Sequence, residues 1–350
     1  MKKRSVSIVL VLAVVLSVMS LSACGKEYDS EINVYNFGEY IDEDTYKDFE
    51  EKYNIKVNYS TYETCESLYS VLKTGGANYD VIVTSDYMIG RMASEGMLLE
   101  LDWDNIENYN LIDDKYKNLD YDPDGLYSVP YMWGTVGLIY NGAEIDEELT
   151  SWSALFDEKY SGEILMFDSP RDAFGVALSY LGYSLNTTDE GEIEEAYEAL
   201  VKQKDLIQGY FQDQMYDKLE GGEALIGAYY AGDYICMLEN NPDLKFVVPE
   251  EGANWYVDAF CIPTCCENKE GAELFINYMC ETDVSLANMD ATGYASPNTE
   301  ACDIYAEELE DWLADIMFPS DEVLSRCEVF LNLPQNILDL YDSYMIKLKA

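Results

Sequence analysis

Histidine and positive charge are what this sequence most lacks. None of its 350 residues is histidine, and 21 lysines and arginines stand against 68 aspartates and glutamates, a formal net charge of −47. The absence of histidine excludes Ser-His-Asp and Cys-His catalysis in their usual forms and removes the commonest transition-metal ligand. The excess of negative charge repels nucleic acid and anionic lipid, so we expect neither as a partner. The same charge attracts cations and steers them towards clefts of matching sign.

The cysteines lack the spacing of a metal or redox site. No Cys-x-x-Cys pair occurs among the nine cysteines, so zinc and thioredoxin-like chemistry are not expected, and we predict no metal and no other cofactor. An exported protein could join the eight cysteines beyond residue 24 in disulfides or keep them as thiols, and the sequence leaves both open. The eight are Cys65, Cys236, Cys261, Cys265, Cys266, Cys280, Cys302 and Cys327.

Apolar runs of membrane-spanning length are missing as well, although a shorter run lies near the N-terminus. Cationic residues 2–4 precede apolar residues 6–16, and small residues follow, as in a secretory signal. The run is too short for a permanent span. Cys24 directly follows Leu-Ser-Ala, which resembles the bacterial lipobox and implies cleavage before Cys24 and its lipidation; the alternative is an ordinary signal with an incidental cysteine. We therefore expect a signal peptide at 1–23, a lipidated cysteine and linker at 24–30, and an extracytoplasmic protein anchored to the cell membrane by lipid.

The rest of the chain alternates between strand-like and helix-like spacing of apolar residues. Strands are predicted at 31–37, 55–60, 80–84, 131–141, 163–167, 224–230, 244–248 and 254–263. Helices are predicted at 42–53, 63–74, 86–95, 171–181, 192–202, 233–239, 267–279, 283–289 and 334–348. Such alternation with short loops predicts an α/β fold with mainly parallel sheets. The segments 131–141 and 254–263 are interpreted as crossings, which predicts two lobes, residues 31–136 with 258–302 and residues 137–257 with 303–350.

An aromatic side chain and a carboxylate share one side of the last crossing segment. Alternation along an extended strand places Tyr256 and Asp258 on the same side. An organic ammonium ion needs such a pair, because the carboxylate compensates its charge and the ring covers the neighbouring carbon. The alternative is a strand with one solvated aspartate and ordinary core aromatics.

Further polar and aromatic residues follow two predicted strands of the first lobe. Ligands of open α/β sheets bind outside the carboxyl ends of the strands. Phe37–Tyr40 and Ser85–Tyr87 lie directly after such strands, so we expect both segments near a ligand.

Five segments, in order, resemble the spermidine/putrescine-binding proteins of bacterial polyamine ABC transporters. No single motif is specific, but their order is preserved from about residue 31 onwards. The segments are Tyr35–Tyr40, Tyr59–Glu63, Tyr79–Tyr87, Pro130–Thr135 and Gly293–Asn298. The resemblance implies the type II periplasmic-binding-protein fold, in which hinge strands join two α/β lobes around a ligand cleft.

The same resemblance implies a polyamine site. Its carboxylates would pair with ammonium groups, its aromatic rings would cover the methylenes, and its hydroxyl groups would form hydrogen bonds. The implied ligand-binding residues are Phe37, Glu39, Tyr40, Ser85, Tyr87, Asp172, Tyr230, Asp233, Tyr256, Asp258 and Tyr294.

Several positions depart from the family pattern. Gly38 stands where the family has threonine or serine, and Ser169 stands where the spermidine type has a second aspartate. Phe37, Tyr230 and Tyr256 replace tryptophan, which keeps a ring face but reduces its area. The last contact of the family falls near Phe330 or Leu331 and is not assigned to either.

The implied function is capture of polyamines, spermidine and/or putrescine, and their delivery to the membrane permease subunits of an ABC importer by a monomer without enzymatic activity. One alternative is a binding protein for a sugar, an amino acid, a peptide or ferric iron. Arg171 is the only obvious candidate for binding the carboxylate of an amino acid. A remote alternative is a secreted glycoside hydrolase, because paired carboxylates such as Asp172 and Asp258 can perform that reaction.

Overall fold

The computed structural model describes residues 26–350, so the predicted signal peptide at 1–23 and the predicted lipidation of Cys24 lie outside the described residues. Within that range, no helix combines the length and the apolarity needed to cross a bilayer. All eight cysteines beyond residue 24 are free thiols. Part of the predicted linker lies against the body, since Lys26 Nζ donates to the Glu50 carbonyl and the Asp29 amide donates to the Asn54 carbonyl.

The strands of the described chain form one curled sheet. They are β1 (Ser30–Phe37), β2 (Ile55–Tyr62), β3 (Val81–Ser85), β4 (Ser128–Asn141), β5 (Ile164–Phe167), β6 (Ile207–Phe211), β7 (Ile226–Tyr230), β8 (Leu244–Val247) and β9 (Trp255–Cys261). The spatial order is β2-β1-β3-β9-β4-β7-β5-β6, with β8 pairing with β4.

Helices connect most of these strands and follow the last one. They are α1 (Glu43–Tyr53), α2 (Cys65–Thr74), α3 (Asp86–Ser94), α4 (Pro170–Leu181), α5 (Glu190–Gln203), α6 (Gln214–Glu220), α7 (Ala231–Met237), α8 (Lys269–Met279), α9 (Thr282–Thr292), α10 (Thr299–Glu308), α11 (Asp311–Met317), α12 (Asp321–Leu324) and α13 (Gln335–Lys349). Helix α4 shows the local signals well, because Ser169 caps its N-terminus, proline occupies its first turn and Gly182 ends it in the left-handed conformation.

Strand β4 belongs to both halves of the sheet. From Ser128 to Thr135 it pairs with β9, which pairs on its other side with β3. From Val136 onwards it pairs with β7 and β8 instead. One unbroken strand therefore connects the half that contains β1, β2, β3 and β9 with the half that contains β5, β6, β7 and β8.

The two glycines beside this change of partner are there for space. A Cβ atom on Gly134 would lie 2.7 Å from the hydroxyl of Tyr256, and one on Gly137 would lie 2.3 Å from Cζ of Phe246. Neither glycine has a positive φ. Each therefore makes room for a ring from a neighbouring strand rather than allowing an unusual backbone conformation.

The prediction of a mainly parallel sheet holds for only part of it. β1 pairs in parallel with β2 and β3, and β5 pairs in parallel with β6 and β7. Strands β4, β8 and β9 pair antiparallel with their neighbours. Parallel neighbours need a long crossover connection, usually a helix, and the short connection from β8 to β9 contains no α-helix.

Some elements were not predicted at all. Strand β6 lies at the edge of the sheet and has no fully buried residue, so it lacks an apolar alternation. Helices α6, α10, α11 and α12 are short or largely exposed, and each buries only one or two residues or none. A weak apolar stripe gives little signal for either kind of element.

Candidate functional site

A cavity of about 590 Å³ lies between the two halves of the sheet, and all eleven residues implied by the sequence line it. Most of them follow the carboxyl ends of parallel strands, as expected for an α/β sheet. Phe330 also lines the cavity, whereas Leu331 does not. A volume of this size is typical of a small-molecule site. The structure thus brings the predicted residues together, and their contact with a ligand remains a prediction.

Asp258 on β9 is a buried carboxylate with one oxygen left over. Its side chain is 5% exposed, its Oδ2 accepts a hydrogen bond from the Tyr40 hydroxyl at 2.9 Å, and its Oδ1 has no partner. Burial raises the pKa of Asp258 to about 6, although the hydroxyl groups of Ser85 and Tyr40 oppose the rise. It is therefore not the solvated aspartate of the alternative interpretation. A buried carboxylate of this kind needs a proton or a cation.

Two further cavity carboxylates also accept a hydrogen bond from a tyrosine. The Tyr294 hydroxyl donates to Asp233 Oδ2 at 2.9 Å, and the Tyr87 hydroxyl donates to Glu66 Oε1 at 2.9 Å. A hydroxyl donor stabilises the ionised carboxylate without compensating its charge. Tyr294 thus does more than supply the ring face that the sequence suggested.

The aromatic side chains form a continuous line along the cavity. Phe37 contacts Tyr40 edge to face with ring centroids 5.7 Å apart, and Tyr40 contacts Tyr294 in the same way at 4.8 Å. Tyr256 lies 6.4 Å from Tyr294 and 5.7 Å from Tyr230. Such a row of rings can cover an alkyl chain by dispersion and an ammonium group by cation–π attraction.

Gly232 explains how Tyr294 reaches Asp233. Helix α7 begins directly after β7, and a Cβ atom on Gly232 would lie 2.3 Å from Cδ2 of the Tyr294 ring. Any other residue would push this ring away from the helix. The segment Tyr230–Asp233 therefore combines a wall residue, a site for the neighbouring ring and a carboxylate within one turn.

Three carboxylates gather near one end of the cavity: Glu66, Asp86 and Asp172, referred to as the Asp172 group. Desolvation raises the pKa of all three, to about 6 for Asp172. The charge of Glu66 adds to the rise at Asp172, and the charge of Asp258 adds to the rise at Asp86 and Asp172. Asp86 is 1% exposed, and its Oδ2 has no hydrogen-bond partner.

A buried arginine lies behind the Asp172 group. Arg171 is 4% exposed, its Nη2 donates to Asn186 Oδ1 at 3.1 Å, and its Nε and Nη1 have no partner. Its guanidinium carbon lies 4.4 Å from the ring centroid of Phe330. Desolvation lowers the pKa of Arg171, and its positive charge opposes the rise in pKa at all three carboxylates of the Asp172 group.

Four other carboxylates gather at the opposite, more open end: Glu39, Glu63, Asp213 and Asp233, referred to as the Asp233 group. Desolvation raises the pKa of Asp233 to about 7, and the charges of Asp213 and Glu39 add to the rise. The pKa of Asp213 is raised in the same sense, by desolvation first and then by Glu63 and Glu39. Among the described residues, no positive charge opposes either rise in pKa. Glu39, Glu63 and Asp213 are exposed at the mouth of the cavity.

Ser169 has a structural role at the position where the spermidine type has an aspartate. Its side chain accepts a hydrogen bond from the amide of Asp172 and caps α4, and it also lines the cavity. The carboxylates Glu66, Asp86 and Asp213 also line the cavity but were not among the predicted residues. Glu66 and Asp86 resemble the acidic residues that any helix favours in its first turn, and Asp213 follows a strand that was not predicted.

The family model described as bacterial extracellular solute-binding protein matches residues 44–316. The spermidine/putrescine-binding periplasmic protein of Salmonella typhimurium is 33% identical over 335 residues, which are 95% of this chain and 95% of that protein. The putrescine-binding periplasmic protein SpuD of Pseudomonas aeruginosa is 28% identical and covers 90% of this chain and 91% of its own length.

A solved structure shows the same architecture. The spermidine/putrescine ABC transporter substrate-binding protein PotD from Streptococcus pneumoniae superposes with a TM-score of 0.78 at 32% identity and covers 92% of this chain and 99% of its own. The type II periplasmic-binding-protein fold, with two lobes joined by hinge strands around a cleft, is therefore confirmed. These relatives are solute-binding transport proteins, not enzymes, which removes the hydrolase alternative. The chain belongs to the bacterial extracellular solute-binding protein family.

Proposed function

We propose that this protein binds polyamines, spermidine and/or putrescine, outside the cell and delivers them to the permease subunits of an ABC importer. The observation that carries the proposal is Asp258, whose unpartnered Oδ1 is buried in a cavity walled by tyrosines. A desolvated carboxylate pairs best with a desolvated cation, and a row of rings covers the methylene groups between ammonium groups. The names of the relatives support the same ligand class.

The carboxylates give each ammonium group of such a ligand a place. Asp258 would pair with one, and the Asp172 and Asp233 groups would pair with others. The rings of Phe37, Tyr230, Tyr256 and Tyr294 would cover the carbons, while Tyr40, Tyr87 and Ser85 would hold the carboxylates in position. A neutral sugar would leave the buried carboxylates uncompensated, which is costly.

The proposal includes the cellular context. A lipid on Cys24 would anchor the mature protein to the outer face or periplasmic side of the cytoplasmic membrane, and a monomer would suffice for delivery. The secretory pattern of residues 1–23 and the Leu-Ser-Ala-Cys sequence support this part. Labelling the expressed protein with a radioactive fatty acid, with Cys24→Ser as control, tests it directly.

Calorimetric titration of the purified protein tests the ligand. Putrescine, spermidine and spermine are titrated beside glucose, glutamate, a tripeptide and ferric citrate under identical conditions. We expect saturable binding of at least one polyamine, with heat that disappears in the Asp258→Asn variant. Saturable binding of one of the other solutes with none for any polyamine would overturn the proposal.

A further inference from the structure

The mouth of the cavity holds a carboxylate that belongs to none of the motifs that carry the family resemblance. Asp213 follows β6 in the second half of the molecule, and it faces Glu39 and Glu63, which follow β1 and β2 in the first half. These charges therefore come together from opposite sides of the cleft. Like charges brought together in this way repel each other unless a cation lies between them.

Gly38 in the first half lies directly against the Asp213 carboxylate in the second half. A Cβ atom on Gly38 would lie 3.6 Å from Oδ2 of Asp213, closer than from any other atom outside its chain neighbours. The residue has no positive φ, so the backbone does not require glycine here. A Cβ at this distance makes an ordinary contact, so only the atoms of a larger side chain beyond Cβ would crowd the Asp213 carboxylate.

A buried polar group beside Asp213 is left without a partner. Gln212 lines the cavity, is 9% exposed, and its Oε1 accepts no hydrogen bond, while its Nε2 donates to the Tyr230 hydroxyl at 3.4 Å. A buried amide oxygen without a donor is unfavourable, and an ammonium group is a donor that can satisfy it. Two consecutive residues after β6 thus offer acceptors to the cavity.

Charge compensation differs between the two ends of the cavity. The Asp172 group has Arg171 behind it, whereas no cation of the described chain contributes to the pKa shifts of Asp213 and Asp233. The uncompensated negative charge is therefore concentrated at the mouth. A ligand with an additional ammonium group gains most from that end.

We infer that Asp213, opposite Gly38 and next to Gln212, is a further ligand-binding residue that takes the additional ammonium group of a triamine and favours triamines over diamines. The inference rests on the proposed polyamine function and specifies the ligand within that class. A diamine pairs with Asp258 and one carboxylate group only, so it depends less on Asp213. A triamine reaches both groups and bridges the two lobes at the mouth.

The test is calorimetric titration of spermidine and putrescine into the wild type, Asp213→Asn and Asp205→Asn at low ionic strength. Asp205 is exposed at the opposite end of β6 and gives the same change of charge and size away from the cavity. Because Asp213 is exposed and screened, we expect Asp213→Asn to weaken spermidine about fivefold and putrescine less than twofold, with Asp205→Asn unchanged. Gly38→Val keeps every charge but adds methyl groups that crowd the Asp213 carboxylate. It should therefore reproduce the loss of spermidine affinity seen in Asp213→Asn.

Other results of these titrations would overturn either the inference about Asp213 or the proposed function. Equal affinities for spermidine in the wild type and in Asp213→Asn overturn the inference and leave the proposed function standing. Equal losses for both ligands, or a similar loss in Asp205→Asn, show a general effect of charge and also overturn it. Absence of binding of either amine to the wild type refutes the proposed function itself. Unchanged melting temperatures of the variants confirm that folding is intact.

Discussion

The two ends of the cavity use the same residue type under opposite electrostatic conditions. At the Asp172 group, the protein supplies its own cation, Arg171, against three desolvated carboxylates. At the Asp233 group, four carboxylates face one another with a tyrosine hydroxyl as a hydrogen-bond donor and no protein cation acting on Asp213 or Asp233. One end is partly compensated before a ligand arrives, and the other depends on the ligand. The attraction of a cationic ligand to each end therefore depends on the protein cations nearby as well as on the number of carboxylates.

Asp258 is the buried carboxylate with an unpartnered oxygen, and its removal should have the largest effect. Asp258→Asn keeps the size of the side chain but removes the charge beside Tyr40 and Tyr256. Loss of one member of a buried charge pair costs about 3–5 kcal/mol, so polyamine affinity should fall by at least about a hundredfold. Titration calorimetry measures the loss, and circular dichroism checks the fold. Affinities within a few-fold of the wild type would show that the centre of the site lies elsewhere.

Replacing Arg171 should leave both carboxylate groups of the cavity without a protein cation. Arg171→Met keeps much of the apolar contact with Phe330 but removes the cation, so the ligand-free protein should lose about 2 kcal/mol of stability as the Asp172 group becomes uncompensated. A bound polyamine would replace part of that charge. We therefore expect a larger ligand-induced rise in melting temperature than in the wild type. An equal or smaller rise would mean that Arg171 does not act as an internal counterion.

Acidification should weaken binding, first at the Asp233 group. Burial raises the pKa of Asp233 to about 7 and those of Asp172 and Asp258 to about 6, while amines remain protonated. Between pH 7.5 and 5.5, affinity should fall by about tenfold or more, because ligand binding must displace protons. In Asp233→Asn the pH dependence of the affinity should flatten near pH 7. In Asp172→Asn it should flatten near pH 6. A profile that is flat in the wild type would contradict the shifted values.

The same shifts predict how the stability of the ligand-free protein depends on pH. The folded-state pKa values of Asp172, Asp233 and Asp258 lie above the unfolded value of about 4. The folded protein therefore holds more protons than the unfolded chain between about pH 4 and 7, and this contribution to stability is lost as the pH rises through that window. Melting temperatures of wild type and Asp233→Asn, compared from pH 5 to 8, should diverge from each other towards pH 8, with the variant more stable.

Removal of the tyrosine hydroxyl donors should produce the smallest difference in ligand affinity between the two ends of the cavity. Tyr294→Phe removes the hydroxyl that donates to Asp233, and Tyr87→Phe removes the one that donates to Glu66. Because Arg171 also acts on Glu66, we expect about a tenfold loss of spermidine affinity for Tyr294→Phe and about threefold for Tyr87→Phe. Titration of both variants in parallel decides the order, and the reverse order would argue against the role given to Arg171.

The sequence predicted the positions best where an apolar pattern and a motif coincide. Alternation put Tyr256 and Asp258 on one side of a strand, the strand-end rule pointed to Ser85 and Tyr87, and all four line the cavity. Asp213 was missed because β6 lies at the sheet edge without a buried apolar stripe. Arg171 was considered only as a partner for an amino-acid carboxylate, since its counterions Glu66 and Asp86 come from distant helices. Contacts between such elements depend on packing that no local pattern records.

The continuous β4 strand has a mechanical consequence. β4 exchanges β9 for β7 and β8 without a break at Thr135–Val136, and Gly134 and Gly137 accommodate Tyr256 and Phe246. The two lobes are therefore coupled by a strip of hydrogen-bonded ladder, whose one shift of register lies between Pro130 and Met132. We expect opening and closing of the cleft to twist this strip over several residues without breaking its ladder hydrogen bonds. Under this hypothesis the strip is a torsion spring, and its packed rings set the angle at rest. Trimming Phe246 would therefore soften the spring and change the rate of opening without touching the ligand.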